Sequence, residues 1–131
     1  MPQSLSLVAL LVRDYDEAIA WFTGTLGWTL RADEPREAGK RWVVVAPSAA
    51  GGPALLLARA ATDEQRAQVG RQAGGRVAFF VETDDLARDH AAWSARGVEF
   101  TEAPREESYG RVVVFRDLYG NRWDLIEPAR G

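Results

Sequence analysis

Cysteine is absent from the 131 residues, and histidine occurs once, as His90. The first absence excludes disulfides, thiolate catalysis and cysteine-ligated zinc; the second excludes any site that needs two imidazoles from one chain. An excess of one charge is lacking too, since 16 Lys plus Arg stand against 19 Asp plus Glu and neither sign gathers into a run. A net charge of -3 spread in this way argues against a nucleic-acid partner bound by phosphate neutralisation. Long hydrophobic runs are missing as well. The apolar opening Leu5 to Val12 is too short to span a bilayer, and it lacks the basic residues and small-residue cleavage pattern of a secretory leader. These features predict a cytoplasmic protein with no membrane partner. Hydrophobic residues, by contrast, make up 47% of the chain, enough for one domain that buries about two-thirds of its unfolded surface.

The hydrophobic pattern runs through the chain twice. Leu5 to Val12 reads as a buried strand, followed by Asp14 as a helix N-cap. Tyr15, Ala18, Ile19, Phe22 and Leu26 then form one helical stripe, which Gly27 ends. Strands are predicted at Trp28 to Ala32, Arg41 to Ala46 and Ala54 to Arg59, so the unit is βαβββ. After a polar, helix-prone stretch from Thr62 to Ala73 and a break at Gly74-Gly75, the order begins again with a strand from Arg76 to Val81. Leu86, His90, Trp93 and Gly97 repeat the helical spacing, and strands follow at Val98 to Thr101, Arg111 to Phe115 and Asn121 to Ile126. The expected organisation is a single domain over 1–131, with modules at about 4–60 and 75–128 joined by 61–74. Neither module can close a core alone, so each should pair with its twin.

Two segments carry a resemblance to a known family. Val12-Arg-Asp14 with Ala18-Ile19-Ala-Trp-Phe22 and Leu26-Gly27 opens the chain, and Phe115-Arg-Asp-Leu-Tyr-Gly-Asn-Arg-Trp-Asp-Leu-Ile-Glu127 closes it. Across nearly its whole length the chain resembles the vicinal oxygen chelate superfamily of glyoxalase I, bleomycin-resistance proteins and extradiol dioxygenases. The resemblance implies an α+β fold in which two βαβββ modules form a curved mixed sheet, with a cleft on the concave side and helices on the convex side. It also implies a homodimer, which would cover sheet edges. Metal-dependent members resemble one another in carrying four ligands, usually His or Glu, and the matching positions here are Leu7, Leu56, Arg76 and Asp124. Only Asp124 can coordinate, so the expectation is no metal, no other cofactor and no glyoxalase or dioxygenase chemistry.

Strand alternation puts Leu7, Ala9 and Leu11, then Ala54, Leu56 and Ala58, then Arg76, Ala78 and Phe80, then Arg122, Asp124 and Ile126 on one face, an apolar trough with a charged centre. Arg76 and Asp124 either neutralise each other as a fixed ion pair or hold a polar group of a ligand. Trp42 is either trough wall or core, and Tyr109 either a flap over the trough or part of a plain turn. Trp93, Trp123 and His90 read as packing residues, and Asp117 to Asn121 as a hairpin turn with Gly120 and Asn121 suited to positive φ. The Gly-rich segment Gly70 to Gly75 follows no strand and precedes no apolar helix, so it does not read as a phosphate loop. No Ser-His-Asp or paired-carboxylate set assembles on the trough face, which leaves no catalytic residue to name. Three functions are open. One is a small-molecule ligand-binding protein using Leu7, Ala9, Trp42, Leu56, Arg76, Phe80, Tyr109, Arg122 and Asp124, similar to bleomycin-resistance members that sequester drugs. Another is a metal-independent isomerase, epimerase or lyase in which Arg76 polarises a carbonyl and Asp124 or Tyr109 moves a proton. The third is a structural or partner-binding module whose trough is filled by side chains.

Overall fold

The computed structural model describes residues 2–130, so Met1 and Gly131, the ends of the expected domain, lie outside the described residues. The chain divides into two compact units, Met1–Val69 and Gly70–Gly131.

In the first unit β1 (Leu7–Val12) leads into α1 (Tyr15–Ala20). The Asp14 carboxylate accepts from the Glu17 N–H at 2.8 Å, satisfying one of the free donors of the first turn. The helix continues as a wider π-type turn, Trp21–Thr25, where the Thr23 hydroxyl donates to the Ile19 carbonyl at 2.7 Å. Such back-bonding loosens the α ladder. Tyr15, Ala18, Phe22 and Leu26 of the predicted stripe are buried. Across from them Leu10, Val12, Val43, Val45 and Leu57 are fully buried on β1, β3 (Arg41–Ala46) and β4 (Ala54–Arg59). A side chain such as Phe22 contributes about 1.5–3 kcal/mol by leaving water.

The sheet order is β1-β4-β3-β2, with β1 and β4 parallel and the other pairs antiparallel. The last strand of the unit thus inserts between the first and the third. β2 (Thr29–Pro35) runs three residues beyond the expected Ala32, because Asp33 binds Arg41 of β3 through two hydrogen bonds of 3.1 and 2.8 Å. A bulge between Leu30 and Ala32 frees Arg31, whose guanidinium donates to the carbonyls of Ser48, Gly51 and Gly52 and ties down the β3–β4 loop. The helix-prone stretch Thr62 to Ala73 is helical only in α2 (Asp63–Gln68), since Val69 is extended and Gly70 is left-handed at φ 80°.

In the second unit β5 (Val77–Glu82) precedes α3 (Leu86–Ala95), and β6 (Glu99–Phe100), β8 (Gly110–Arg116) and β9 (Arg122–Pro128) complete the βαβββ order. An unexpected short strand, β7 (Arg105–Glu107), pairs with β8. The order β5-β9-β8-β6, with β5 and β9 parallel, repeats the first unit's insertion of its last strand. Gly110 must be glycine. Its φ is 145°, and a Cβ there would collide with the Glu127 carbonyl oxygen. On the α3 face, Trp93 and Trp123 flank Phe115 at ring separations of 5.1 and 5.7 Å. His90 packs on Phe100 at 4.4 Å. Glu127, which alternation separates from Asp124, accepts from the Leu86 N–H at 2.8 Å and so secures the start of α3. Both sheets are mixed and the class is α+β. No helix among the described residues is long and apolar enough to cross a membrane.

Candidate ligand-binding site

Each sheet presents one face to its helix and another away from it. In the first unit the parallel register sets Leu7 beside Ala54, Ala9 beside Leu56 and Leu11 beside Ala58. Val44 pairs with Leu56, and Val44, Ala46 and Ala54 form a small buried cluster with Leu7, Ala32 and Leu56 against it. Five of these positions are alanine, so the face is apolar and shallow. Trp42, two residues before Val44 on the same face, is 37% exposed, with the Arg36 guanidinium 5.6 Å from its ring centroid. Trp42 is therefore wall rather than core. Beyond the Val43–Leu57 pair the two central strands splay. There a hollow of about 330 Å³ opens, walled by Leu11, Trp42, Leu56 and Ala58 and rimmed by Lys40 and Gln65. Tyr15 stands at its edge with its hydroxyl accepting from the Arg41 N–H at 3.2 Å, and Arg41 and Arg59 lie 5.1 and 5.3 Å from its ring. The Arg41 guanidinium beside Asp33 holds that carboxyl below the usual carboxylate range.

In the second unit the expected couple of Arg76 and Asp124 does not form. β5 carries a bulge between Val77 and Phe79, so Val77 pairs with Arg122 and Phe80 with Asp124. Arg76 lies ahead of the first pair, and simple alternation of Arg76, Ala78 and Phe80 fails because the bulge adds a residue to one strand. Asp124 is 8% exposed beside Phe80, which is 64% exposed, and its Oδ1 has no hydrogen-bond partner. Burial pushes its carboxyl up, against the opposing pull of Arg105, and Glu102 adds to the rise. Glu102 and Arg105, which form an ion pair at 3.2 Å, are the charged neighbours that sequence reasoning missed. They sit in the segment between β6 and β8, where no periodicity marks a facing.

Tyr109 is 53% exposed in the tight turn of the β7–β8 hairpin, where Glu107 pairs with Gly110. Asn121 does not adopt positive φ, which among described non-glycine residues occurs only at Ala38. Its amide instead donates to Asp117 Oδ2 and accepts from the Gln72 N–H.

Of the four metal positions of the resembled family, Leu7 and Leu56 offer no lone pair, Arg76 is a fixed cation and only Asp124 is a donor. Among the described residues no group of three or more His, Cys, Asp or Glu is placed to hold a metal ion. The donor set does not fit one.

An uncharacterized protein of Shewanella frigidimarina (strain NCIMB 400) is 48% identical over 128 residues, covering 97% of this chain and 95% of that one. The solved structure of UcmS2 superposes with a TM-score of 0.85 at 25% identity, covering 97% and 99% of the two chains. TnmS3, an antibiotic binding protein from Streptomyces sp. CB03234, superposes at 0.78 with 29% identity and 98% coverage of both. With the family model matched over residues 4–125, the chain belongs to the Glyoxalase/Bleomycin resistance protein/Dioxygenase superfamily.

Proposed function

We propose that this protein binds and sequesters a small amphipathic or aromatic molecule without a metal. The observation that carries the reading is the hollow of about 330 Å³ beside Trp42, whose apolar wall and cationic rim suit a flat apolar body bearing a negative group. Its volume lies within the range of small-ligand pockets, roughly 300–1,000 Å³. The similarity to an antibiotic binding protein supports the same reading. In the second unit Phe80 offers an exposed ring, and Asp124 beside it a buried acceptor that suits a hydrogen-bond donor. The dye 8-anilinonaphthalene-1-sulfonate tests it. Binding should be saturable, Trp42→Ala should weaken it at least tenfold, and Leu56→Trp, which fills the hollow, should abolish it. Equal affinity in all three proteins would refute the assignment, and one tightly held metal per chain by elemental analysis would refute the metal-free part. A homodimer belongs to the same proposal, supported by the open edges of β1 and β2 in their sheet. Light scattering returning the 14.4 kDa chain mass would overturn it.

One observation favours a second reading, a metal-independent isomerase or lyase. Asp124 is raised by burial rather than lowered by a paired arginine, so it is better matched to proton transfer near neutral pH than the expected ion pair would have been. In that case a carbonyl compound taken up by the protein would exchange its α-proton with deuterated solvent, and Asp124→Asn would stop the exchange.

A further inference from the structure

Four arginines in the second unit surround a hollow that contains no acid. Arg71 and Arg76 come from the segment before β5, Arg116 from the end of β8 and Arg122 from the start of β9, and together they line a cavity of about 190 Å³. Arg116 and Arg122 are direct partners in the antiparallel β8–β9 register, so two guanidiniums share one face of the sheet side by side. Like charges in that position destabilise a sheet unless something lies between them. Among the described residues Arg71, Arg76 and Arg122 have no ion pair. Arg116 has one, at 3.4 Å to Glu99, and its Nε is buried without a partner. Elsewhere Arg13, Arg36, Arg41, Arg66, Arg88, Arg105 and Arg111 each reach a carboxylate. In a chain of net charge -3, acids are not scarce, and their exclusion from this cavity is a local feature.

The cavity is held in shape. Gly70 lies so close to the Tyr119 carbonyl that a Cβ would collide with it, and the Gln72 N–H donates to Asn121 Oδ1 at 3.3 Å, which fixes the arginine-bearing loop on the β8–β9 turn. Reverse turns close the loop through the Gly74 N–H to the Arg71 carbonyl and the Arg76 N–H to the Ala73 carbonyl.

We propose that these four arginines form a binding site for a phosphate dianion, either free or as a monoester. Planar guanidinium forks match tetrahedral oxyanions in pairs, and a dianion offsets more of the three uncompensated charges than a carboxylate does. The proposal stands on residues other than those of the Trp42 hollow and is independent of what binds there.

Inorganic phosphate is the probe, titrated at pH 7.5 and fixed ionic strength, with acetate and chloride as controls and phenyl phosphate as the ester. Phosphate should raise the melting temperature in a saturable way that acetate and chloride do not reproduce. Tighter binding of phenyl phosphate than of inorganic phosphate would assign an esterified ligand, and the reverse a free one. Arg122→Gln should weaken phosphate at least tenfold and, without phosphate, should raise the melting temperature by relieving its repulsion with Arg116. Arg66→Gln, an exposed arginine paired with Asp63 outside the cavity, should leave phosphate binding unchanged. A response no larger than that to acetate, an unchanged affinity in Arg122→Gln, or a ligand-free Arg122→Gln less stable than the parent would overturn the proposal.

Discussion

Asp117→Asn removes one charge and one acceptor from a side chain that takes five hydrogen bonds. Asp117 is 6% exposed, and its Oδ1 accepts from the backbone N–H groups of Tyr119, Gly120 and Asn121 at 3.0, 3.1 and 3.0 Å. Its Oδ2 accepts from Asn121 Nδ2 and from the Trp123 indole Nε1, each at 3.0 Å. An asparagine in the same rotamer keeps the first set and turns an NH2 toward the two buried donors of the second; flipped, it turns the NH2 toward three backbone donors. Leaving a buried donor unpaired costs about 1–3 kcal/mol, so two cost roughly 2–6, and with local relaxation we expect about 3 kcal/mol. In urea, with a slope of about 2 kcal/mol/M for a chain of this size, the midpoint should fall by about 1.5 M at unchanged slope, followed by far-ultraviolet circular dichroism. Trp123→Phe removes one of the opposed donors in advance. In that background Asp117→Asn should cost about 1–2 kcal/mol less, a coupling that a double-mutant cycle isolates. A midpoint shift below about 0.5 M, or the same cost in both backgrounds, would show that these hydrogen bonds do not hold the turn.

Asp124→Asn should stabilise the protein at neutral pH. A carboxyl raised on folding binds more protons folded than unfolded, so it lowers stability as pH climbs from the unfolded value near 4 through the folded one, and the amide should flatten that slope in pH-dependent urea titrations. Leu57→Ala, at a fully buried position between the sheet and α1, should cost about 2–5 kcal/mol by chemical denaturation. Gly110→Ala should cost at least about 2 kcal/mol by the same measurement, since neither its backbone angle nor the Glu127 carbonyl leaves room for a methyl group.

Much of the fold was legible because the apolar residues are periodic. The Tyr15, Ala18, Phe22 and Leu26 stripe and the alternation in β1 and β4 needed only a period and a facing, and the parallel β1–β4 register has no irregularity to upset them. The site was less legible where a single residue alters the count. The register sets Val77 against Arg122 and so leaves Arg76 ahead of the first pair instead of beside Asp124, and nothing in Val77-Ala78-Phe79 announces that register or its bulge. Glu102 and Arg105 reach Asp124 from a segment without periodicity. Nothing in the spacing of Arg71 and Arg76 shows that they line one cavity with Arg116 and Arg122, because the β8–β9 turn on which their loop rests brings them together. Asp117 was visible as a turn residue, but its five donors converge only once the chain is folded.

In each sheet the strand made last lies between two made earlier, β4 between β1 and β3 and β9 between β5 and β8. During synthesis β5 leaves the ribosome with no neighbour in its own sheet and waits about forty residues for β9. Until then the hydrophobic strand Val77–Glu82 has an unpaired edge, open to pairing with other extended apolar segments. In the first unit β1, which ends at Val12, waits for β4, which starts at Ala54, over a stretch of about the same length. Slowed translation between Val12 and Ala54, or between Glu82 and Arg122, should therefore lower the yield of folded protein more than slowed translation after Pro128.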